Sequence, residues 1–199
     1  MLLVYFTAYG WSNICMLHWM DMSKKVTRLY EQFQPEHYDL TLDIDRDAMS
    51  FTGTVVIKGK KTGRPSERLT FHQKGLKITS ATITKHDKKG DQTLVVKRIN
   101  NQDSYDEVRL HTEDMAYPGD YTVALQFSGH INKDMHGIYP CFFKHNGEAK
   151  KLIATQFESH HAREALPCID EPEAKATFDL TLVTPSGETV LANTPVKKS

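Results

Sequence analysis

From Pro35 onward, apolar and polar side chains alternate with a period of two residues, which constrains the fold more than any other feature of the chain. Successive side chains of a β-strand point to opposite faces of a sheet, so this alternation predicts strands with one buried face. In the segment HYDLTLDI the apolar face carries Tyr38, Leu40, Leu42 and Ile44. In FTGTVVI the corresponding face carries Phe51, Val55 and Ile57. Each segment predicts a half-buried strand.

The same alternation recurs along the rest of the chain, between segments rich in turn-forming residues. The further predicted strands are RLTFH, KITSATIT, TLVVKRI, DEVRLHT, YTVALQFSG, KLIATQFE, ATFDLTLVT and TVLANTPV. We expect PSGE, residues 185–188, to close a hairpin between the last two. SKKVTRLYEQF and SHHAREAL predict short helical turns, the second ended by Pro167, and Asp170 is a predicted helix N-cap. The pattern therefore predicts an all-β, antiparallel multi-sheet domain with one or two short helical turns.

Charge and cysteine content narrow the possible partners and the cellular location. The chain of 199 residues has 25 basic and 25 acidic residues, so its formal net charge is zero. Nucleic acids and anionic membranes attract proteins with excess positive charge, and we therefore expect neither as a partner.

The three cysteines, Cys15, Cys141 and Cys168, are few and odd in number. This argues against a disulfide framework and favours a reducing, cytoplasmic location.

Residues 1–21 differ in composition from the rest of the chain. They begin with the apolar segment MLLVYFTAYGWSNICMLHWM, which has neither a basic n-region nor a small-residue cleavage site. Asn13 and His18 interrupt any membrane span. MSKKVTRLYEQF, starting at Met22, is typical of a cytosolic N-terminus. Two interpretations stay open: a spurious, over-extended start, which we favour, and a weak membrane anchor. In both, the folded domain is expected to comprise residues 22–199.

The sequence lacks the motifs of a self-contained active site. No His is followed by Glu, so there is no H-E-x-x-H zinc motif, and no G-x-S-x-G nucleophile motif occurs. His160 and His161 are adjacent and point in different directions in a strand or a helix, so one metal ion cannot easily take both. Cys168 has no basic neighbour at short range to activate it, and we interpret it as a buried thiol. We therefore predict no metal site and no catalytic residue in this chain.

Gln156 and Glu158 are the remaining site candidates. At positions i and i+2 of the predicted strand KLIATQFE, their side chains would project from the same face, with Phe157 pointing into the core. An amide and a carboxylate would then face whatever lies opposite. The alternative is an ordinary solvent-facing polar pair, and composition alone favours that alternative.

The segment TQFESHHAREALPCIDEPEAKATFDLTL resembles the block that ends the N-terminal domain of the aminopeptidase-N family of zinc metallopeptidases. The family pattern is T-Q-F-E-x-x-x-A-R-x-A-x-P-C-x-D-E-P-x-x-K-A-x-F, and residues 155–178 match every fixed letter. QPEHYDLTLDID, FTGTVVI, HGIYPCFF and LANTPV are similar to further family segments. The resemblance covers residues 35–196 and implies a twisted, saddle-like N-terminal β domain that packs over a thermolysin-like catalytic domain.

The resemblance also implies roles for individual residues. Glu158 would bind the free α-ammonium group of a peptide substrate, and Gln156 would line the first side-chain pocket. The zinc ion, its ligands and the general base would lie in a downstream catalytic domain, which is the expected partner and which this chain does not contain. By itself the chain is expected to be inactive and zinc-free. Structural support at this corner of the fold is expected from Arg163, Pro167, Cys168, Asp170, Glu171 and Pro172.

Two other functions stay open. A β domain of this family could serve as a non-catalytic interaction domain, since some relatives have lost the zinc site and act as scaffolds. A carbohydrate-binding β-sandwich is the third possibility, and it would need an exposed aromatic platform. Trp11 and Trp19 both lie within residues 1–21, so no such platform is supported in the folded part.

Overall fold

The computed structural model describes residues 28–88 and 90–196, which form eleven strands and three single turns of 3-10 helix. The strands are β1 (Phe33–Asp45), β2 (Ser50–Lys61), β3 (Ser66–His72), β4 (Lys77–His86), β5 (Gln92–Leu94), β6 (Val96–Gln102), β7 (Glu107–Ala116), β8 (Gly119–His130), β9 (Gly137–His145), β10 (Glu148–Gln156) and β11 (Thr177–Val183). The helical turns are Leu29–Glu31, Asp103–Tyr105 and Ala162–Glu164. The all-β prediction is confirmed.

The largest sheet has six strands in the order β11-β1-β2-β8-β4-β5. Its pairs are antiparallel except β11 with β1, which run parallel with Thr177 opposite His37. The register places Leu40, Val55 and Leu125 side by side on three neighbouring strands, and all three are buried. The alternation seen in the sequence thus becomes one continuous apolar face of the sheet.

A three-stranded antiparallel sheet, in the order β3-β7-β6, contributes to the same hydrophobic core. Its buried face carries Leu69, Phe71, Val108 and Leu110. The ring of Phe71 meets that of Phe33 from β1 edge to face, with the ring centroids 5.3 Å apart. The opposite face of this sheet is polar, because its side chains alternate with the buried ones.

β9 and β10 form a separate antiparallel hairpin whose register pairs Thr155 with Ile138. Much of its surface is apolar and exposed: Phe142 is 68% exposed, and Phe143 and Leu152 are exposed as well. β9 comes from the HGIYPCFF segment, which the sequence pattern did not predict as a strand. β10 ends directly before the acidic, proline-rich corner of residues 157–172.

Several local predictions are wrong. TVLANTPV forms no strand, so PSGE closes no hairpin, because Val190, Leu191 and Val196 find no neighbouring strand and remain exposed. Asp170 caps no helix, since its carboxylate instead accepts hydrogen bonds from Arg163. The two interpretations of residues 1–21, and most of the helix predicted from Ser23, lie outside the described residues. Within residues 28–88 and 90–196, no helix is long and apolar enough to cross a membrane.

Candidate functional site

Gln156 and Glu158 do not share a strand face as predicted. β10 ends at Gln156, and Glu158 lies in the turn that follows, where side chains no longer alternate with a period of two. The Gln156 side-chain oxygen accepts a hydrogen bond from the backbone N–H of Phe157 at 3.1 Å. Phe157 is 37% exposed, so the prediction that it points into the core is also wrong. The two site candidates are therefore neighbours at a strand end rather than a same-face pair.

The Glu158 carboxylate is exposed and carries no hydrogen bond or ion pair within the part of the chain that the structure describes. The peptide bond that follows it, Glu158-Ser159, is cis. The turn closes through a hydrogen bond from the backbone N–H of His161 to the carbonyl of Phe157, 2.9 Å long. An available carboxylate at a closed turn can bind a cation that approaches from solvent.

Glu164, on the helical turn Ala162–Glu164, connects this turn to two other loops. Its carboxylate accepts hydrogen bonds from His136 Nδ1 at 2.6 Å and from His161 Nδ1 at 3.1 Å. Lys74 Nζ lies 3.1 Å from Oε1, and Asn132 Nδ2 donates to Oε2 at 3.4 Å. We call these five residues the Glu164 cluster. It joins the loop after β3, the loop after β8 and the turn that carries Glu158.

The environment of Glu164 stabilises its ionised form. Burial acts to raise the pKa of this carboxyl, whose side chain is only 7% exposed, because a low-dielectric surrounding disfavours charge. Hydrogen bonds from His161, His136 and Lys74 outweigh the burial and hold the pKa below its ordinary value. Glu164 is therefore an anion that fixes its three basic neighbours in place.

His136, His161 and Glu164 have ligand-type atoms within 4.8 Å of one another, which raises the question of a metal site. The two imidazole rings are stacked, with centroids 4.1 Å apart and planes 20° from parallel. Ring lone pairs lie in the ring plane, so two nearly parallel rings cannot both direct theirs at one ion about 2.0–2.1 Å away. Lys74 also forms an ion pair with the same Glu164 carboxylate, which a metal ion would need as a ligand. The geometry fits a hydrogen-bonded ionic cluster better than a metal centre.

The predicted support residues form a second set of contacts around the corner. Arg163 donates through Nε to Asp170 at 2.9 Å, and its Nη1 lies 3.9 Å from Asp106. Glu171 accepts from Arg28 Nε at 2.9 Å and from the backbone N–H of Leu29 at 2.6 Å. These contacts attach the corner to the helical turn that precedes β1 and to the loop before β7.

Cys168 and its neighbours attach the corner to the core. Cys168 exchanges two backbone hydrogen bonds with His72, at 2.8 and 3.1 Å, and the Ile169 N–H donates to the Tyr38 hydroxyl. Burial raises the pKa of the Cys168 thiol well above its usual value, so the thiol stays protonated and unreactive. Pro167 is buried beside it, whereas Pro172 is exposed.

Sequence reasoning missed four members of the Glu164 cluster, namely Lys74, Asn132, His136 and Glu164 itself. They lie on three separate loops, so no spacing rule in the sequence connects them. One signal was present: Glu164 follows His161 at i+3, a spacing at which side chains meet on one helical turn. His161 meets His136 as well as Glu164, and His136 is a residue that only the tertiary structure brings to it.

Comparisons with known proteins agree with this architecture. Residues 34–199 match the model of the peptidase M1 N-terminal domain. An aminopeptidase N from Lactococcus lactis subsp. lactis is 42% identical over 177 residues, covering 87% of this chain and 19% of the relative. An aminopeptidase N from Lactobacillus delbrueckii subsp. lactis is 40% identical over 172 residues, covering 85% of this chain and 19% of the relative.

A more distant relative, an aminopeptidase A from Gloydius brevicauda, is 30% identical over 172 residues, which cover 86% of this chain and 18% of that protein. The chain thus spans about 19% of the length of the first relatives that it matches. The family match takes in the six-stranded sheet from β1 to β11 and the corner that follows β10. This chain belongs to the peptidase M1 N-terminal domain family.

Proposed function

We propose that this chain is the N-terminal, substrate-recognising part of a zinc aminopeptidase and that Glu158 binds the free α-ammonium group of the peptide. One observation carries the proposal: Glu158 presents an exposed, unpaired carboxylate, within the described residues, at a turn held closed by the His161-to-Phe157 hydrogen bond. The family membership and the names of the bacterial relatives, aminopeptidase N, support the same interpretation.

The chemistry of aminopeptidases requires a group of this kind. The enzyme must place the first peptide carbonyl on its metal and reject every other register, and a fixed carboxylate that pairs with the terminal ammonium measures that position. A charge-assisted hydrogen bond of this type contributes about 1.5–3 kcal/mol. Since 1.36 kcal/mol corresponds to a factor of ten in rate, losing it costs roughly one to two orders of magnitude in kcat/KM. Gln156, beside the turn, would line the pocket of the first side chain.

The zinc ion and the residues that hold and use it would lie in the downstream part of the enzyme, which is the partner we propose for this chain. A patch of exposed apolar side chains marks where such a partner could pack. It includes Phe142, Phe143 and Leu152 on the β9–β10 hairpin. The hairpin leads directly into the Glu158 turn, so a partner that covers it would lie beside the proposed ammonium site.

The first test is the coding sequence beyond Ser199. A downstream H-E-x-x-H motif is expected, and a stop codon at this point would favour the non-catalytic interaction domain instead. The second test is kinetic and uses the complete gene product. Glu158→Gln should lower kcat/KM on an aminoacyl arylamide by about 10- to 100-fold, from the energy of the lost ion pair.

A matched control separates a specific effect from a loss of surface charge. Glu148→Gln removes an exposed carboxylate at the start of β10, beside the turn of the same hairpin, and should leave kcat/KM unchanged. Inhibition provides a second readout, because an amino-acid hydroxamate and its des-amino analogue differ only in the α-ammonium group. Glu158→Gln should weaken inhibition by the amino-acid hydroxamate and leave inhibition by its des-amino analogue unchanged. Equal weakening of both inhibitors, or unchanged kinetics, would refute the assignment.

A further inference from the structure

The polar face of the three-stranded sheet carries a row of basic side chains. Arg68 on β3, His111 on β7 and Arg98 on β6 are direct cross-strand neighbours in the register. Neighbouring strands are about 4.8 Å apart, so the two arginines stand about 10 Å apart with His111 between them. Side chains directly opposite one another share a face, and the three groups therefore point to the same side. We call these residues, together with Arg109, the β3-β7-β6 basic row.

Arg109 belongs to the same face because it lies two positions before His111 on β7. Its guanidinium is neutralised locally by Glu107, with two hydrogen bonds of 3.0 and 2.9 Å. It also lies over the Tyr105 ring, 5.6 Å from the centroid. Arg109 thus has a partner of its own and adds only part of its charge to the row.

Arg68 and Arg98 have no carboxylate partner within residues 28–88 and 90–196. The Arg98 guanidinium donates a hydrogen bond to His111 Nε2 at 3.5 Å, and that acceptor belongs to another basic residue. The nearby acidic residues that the structure describes do not pair with these two arginines. Glu113 faces Lys97 at 3.8 Å, and Glu67 borders the row. Basic groups placed directly opposite one another on a sheet repel and destabilise it. Among the described residues, no carboxylate paired with Arg68 or Arg98 offsets that repulsion.

One further observation indicates that the missing group is an anion. Burial, and then Arg98, Arg68 and Arg109 in turn, lower the pKa of His111, so positive charge dominates at this position.

We propose that the β3-β7-β6 basic row is a binding site for a small phosphate-bearing anion. The surface there forms a shallow depression of about 350 Å³, lined by Glu67, Lys97, Arg98, His111 and Thr112. Arginine forks suit phosphate because their planar donors match two oxygens of one group. Arg98 lines this depression, and Arg68, which does not, is the cross-strand neighbour of the lining residue His111. The two arginines would hold the anion from both sides, and protonated His111 would donate a hydrogen bond.

Proton uptake is a consequence of this geometry. A bound anion reverses the local sign of charge and raises the pKa of His111, because an opposite charge favours the imidazolium. Binding therefore takes up protons, and affinity falls as the pH rises through the bound-state pKa. The other charged groups around the imidazole are Arg68, Arg98, Arg109, Lys97 and Glu67.

The test is calorimetric titration of the 199-residue chain with inorganic pyrophosphate at pH 6.5, in two buffers of different ionisation enthalpy. We expect one saturable site with a Kd below about 1 mM and a heat that depends on the buffer, as proton uptake requires. Arg68→Gln and Arg98→Gln should each weaken binding about tenfold, the loss of one charge-assisted contact. Both residues are exposed, so neither substitution threatens the fold.

Two controls decide the outcome. Arg64→Gln removes an exposed arginine in the loop between β2 and β3 and should leave the affinity unchanged. His111→Gln should lower the net number of protons taken up per anion bound, and comparison with the wild-type chain removes the contribution of pyrophosphate, which itself ionises at about pH 6. The proposal is refuted by a titration without saturation, by equal weakening in Arg64→Gln, or by a net number of protons taken up that is the same in His111→Gln as in the wild-type chain.

Discussion

Replacing Glu164 by Ala is the sharpest test of the structure around the candidate site. The substitution removes the single anion that His136, His161 and Lys74 share. Breaking a fully buried ion pair costs about 3–5 kcal/mol, because a charge is left without compensation. Here the orphaned groups are partly hydrated already, since the side chains of His161, His136 and Lys74 are 19%, 30% and 48% exposed.

The expected loss is therefore smaller than the buried-pair value, about 2–3 kcal/mol of unfolding free energy for Glu164→Ala. In a domain of this size each kcal/mol shifts Tm by about 2–4 °C, which gives a decrease of roughly 4–12 °C. Glu164→Gln keeps one acceptor and loses the charge, so its effect should be about half as large. Urea unfolding followed by intrinsic fluorescence measures the free energy, and calorimetry measures Tm.

The pH dependence has a defined sign. The pKa of Glu164 is lower in the folded chain than its ordinary value of 4.5, so the native state binds this proton less well than the unfolded state. The stability that Glu164 contributes is present above pH 4.5 and is lost as the pH falls through the folded-state pKa. The difference between the wild-type chain and Glu164→Gln should therefore be full at pH 7 and shrink below pH 4.5.

Glu148→Ala is the matched control, because Glu148 is ion-paired with Lys150 at 2.7 Å but is 72% exposed. An exposed pair contributes at most about 1 kcal/mol, so this variant should unfold within a few degrees of the wild-type chain. If Glu164→Ala is no less stable than Glu148→Ala, or if its deficit persists unchanged at pH 3, the account of the cluster is wrong.

Two further predictions concern the core and the cysteines. Gly53→Ala should lose about 1–3 kcal/mol in urea unfolding, because a Cβ would overlap the Phe127 ring and lie 2.9 Å from Leu42 Cδ2. Thr52→Ala, at an exposed neighbouring position, should change little, and equal losses would contradict the packing argument. Iodoacetamide should modify the half-buried Cys141 in the native chain but reach Cys168 only in denaturant, as read by peptide mass mapping. Native-state alkylation of Cys168 would show that the corner opens.

The strands could be predicted because burial on one face imprints a period of two on the sequence. Tyr38, Leu40 and Leu42 are buried as the alternation requires, and so are Phe51, Val55 and Ile57. The same rule fails where a strand lacks a neighbour. TVLANTPV alternates in composition, yet no strand lies beside it among the described residues, and Leu191 is 90% exposed. Alternation shows that a segment is suited to a half-buried strand, but it does not show that a neighbouring strand is present.

The candidate site was only partly predictable, for the same reason. The family resemblance drew attention to Glu158, but the argument that placed it beside Gln156 assumed that β10 continued past residue 156. Glu164 gains its partners from the loops after β3 and β8, and only the tertiary structure brings those loops together. Arg163 and Asp170, both named as structural support by the family resemblance, do pair, and both lie within one corner of the chain.

The parallel pairing of β11 with β1 has a consequence for how the chain folds during synthesis. Thr177 and His37 are 140 residues apart, so the ribosome must release nearly the whole domain before β1 acquires its outer neighbour. Until then β1 has an unpaired backbone edge, the kind of edge to which other chains add strands. Contacts between such distant residues also form slowly. A nascent or truncated chain that ends before residue 177 should therefore aggregate through β1.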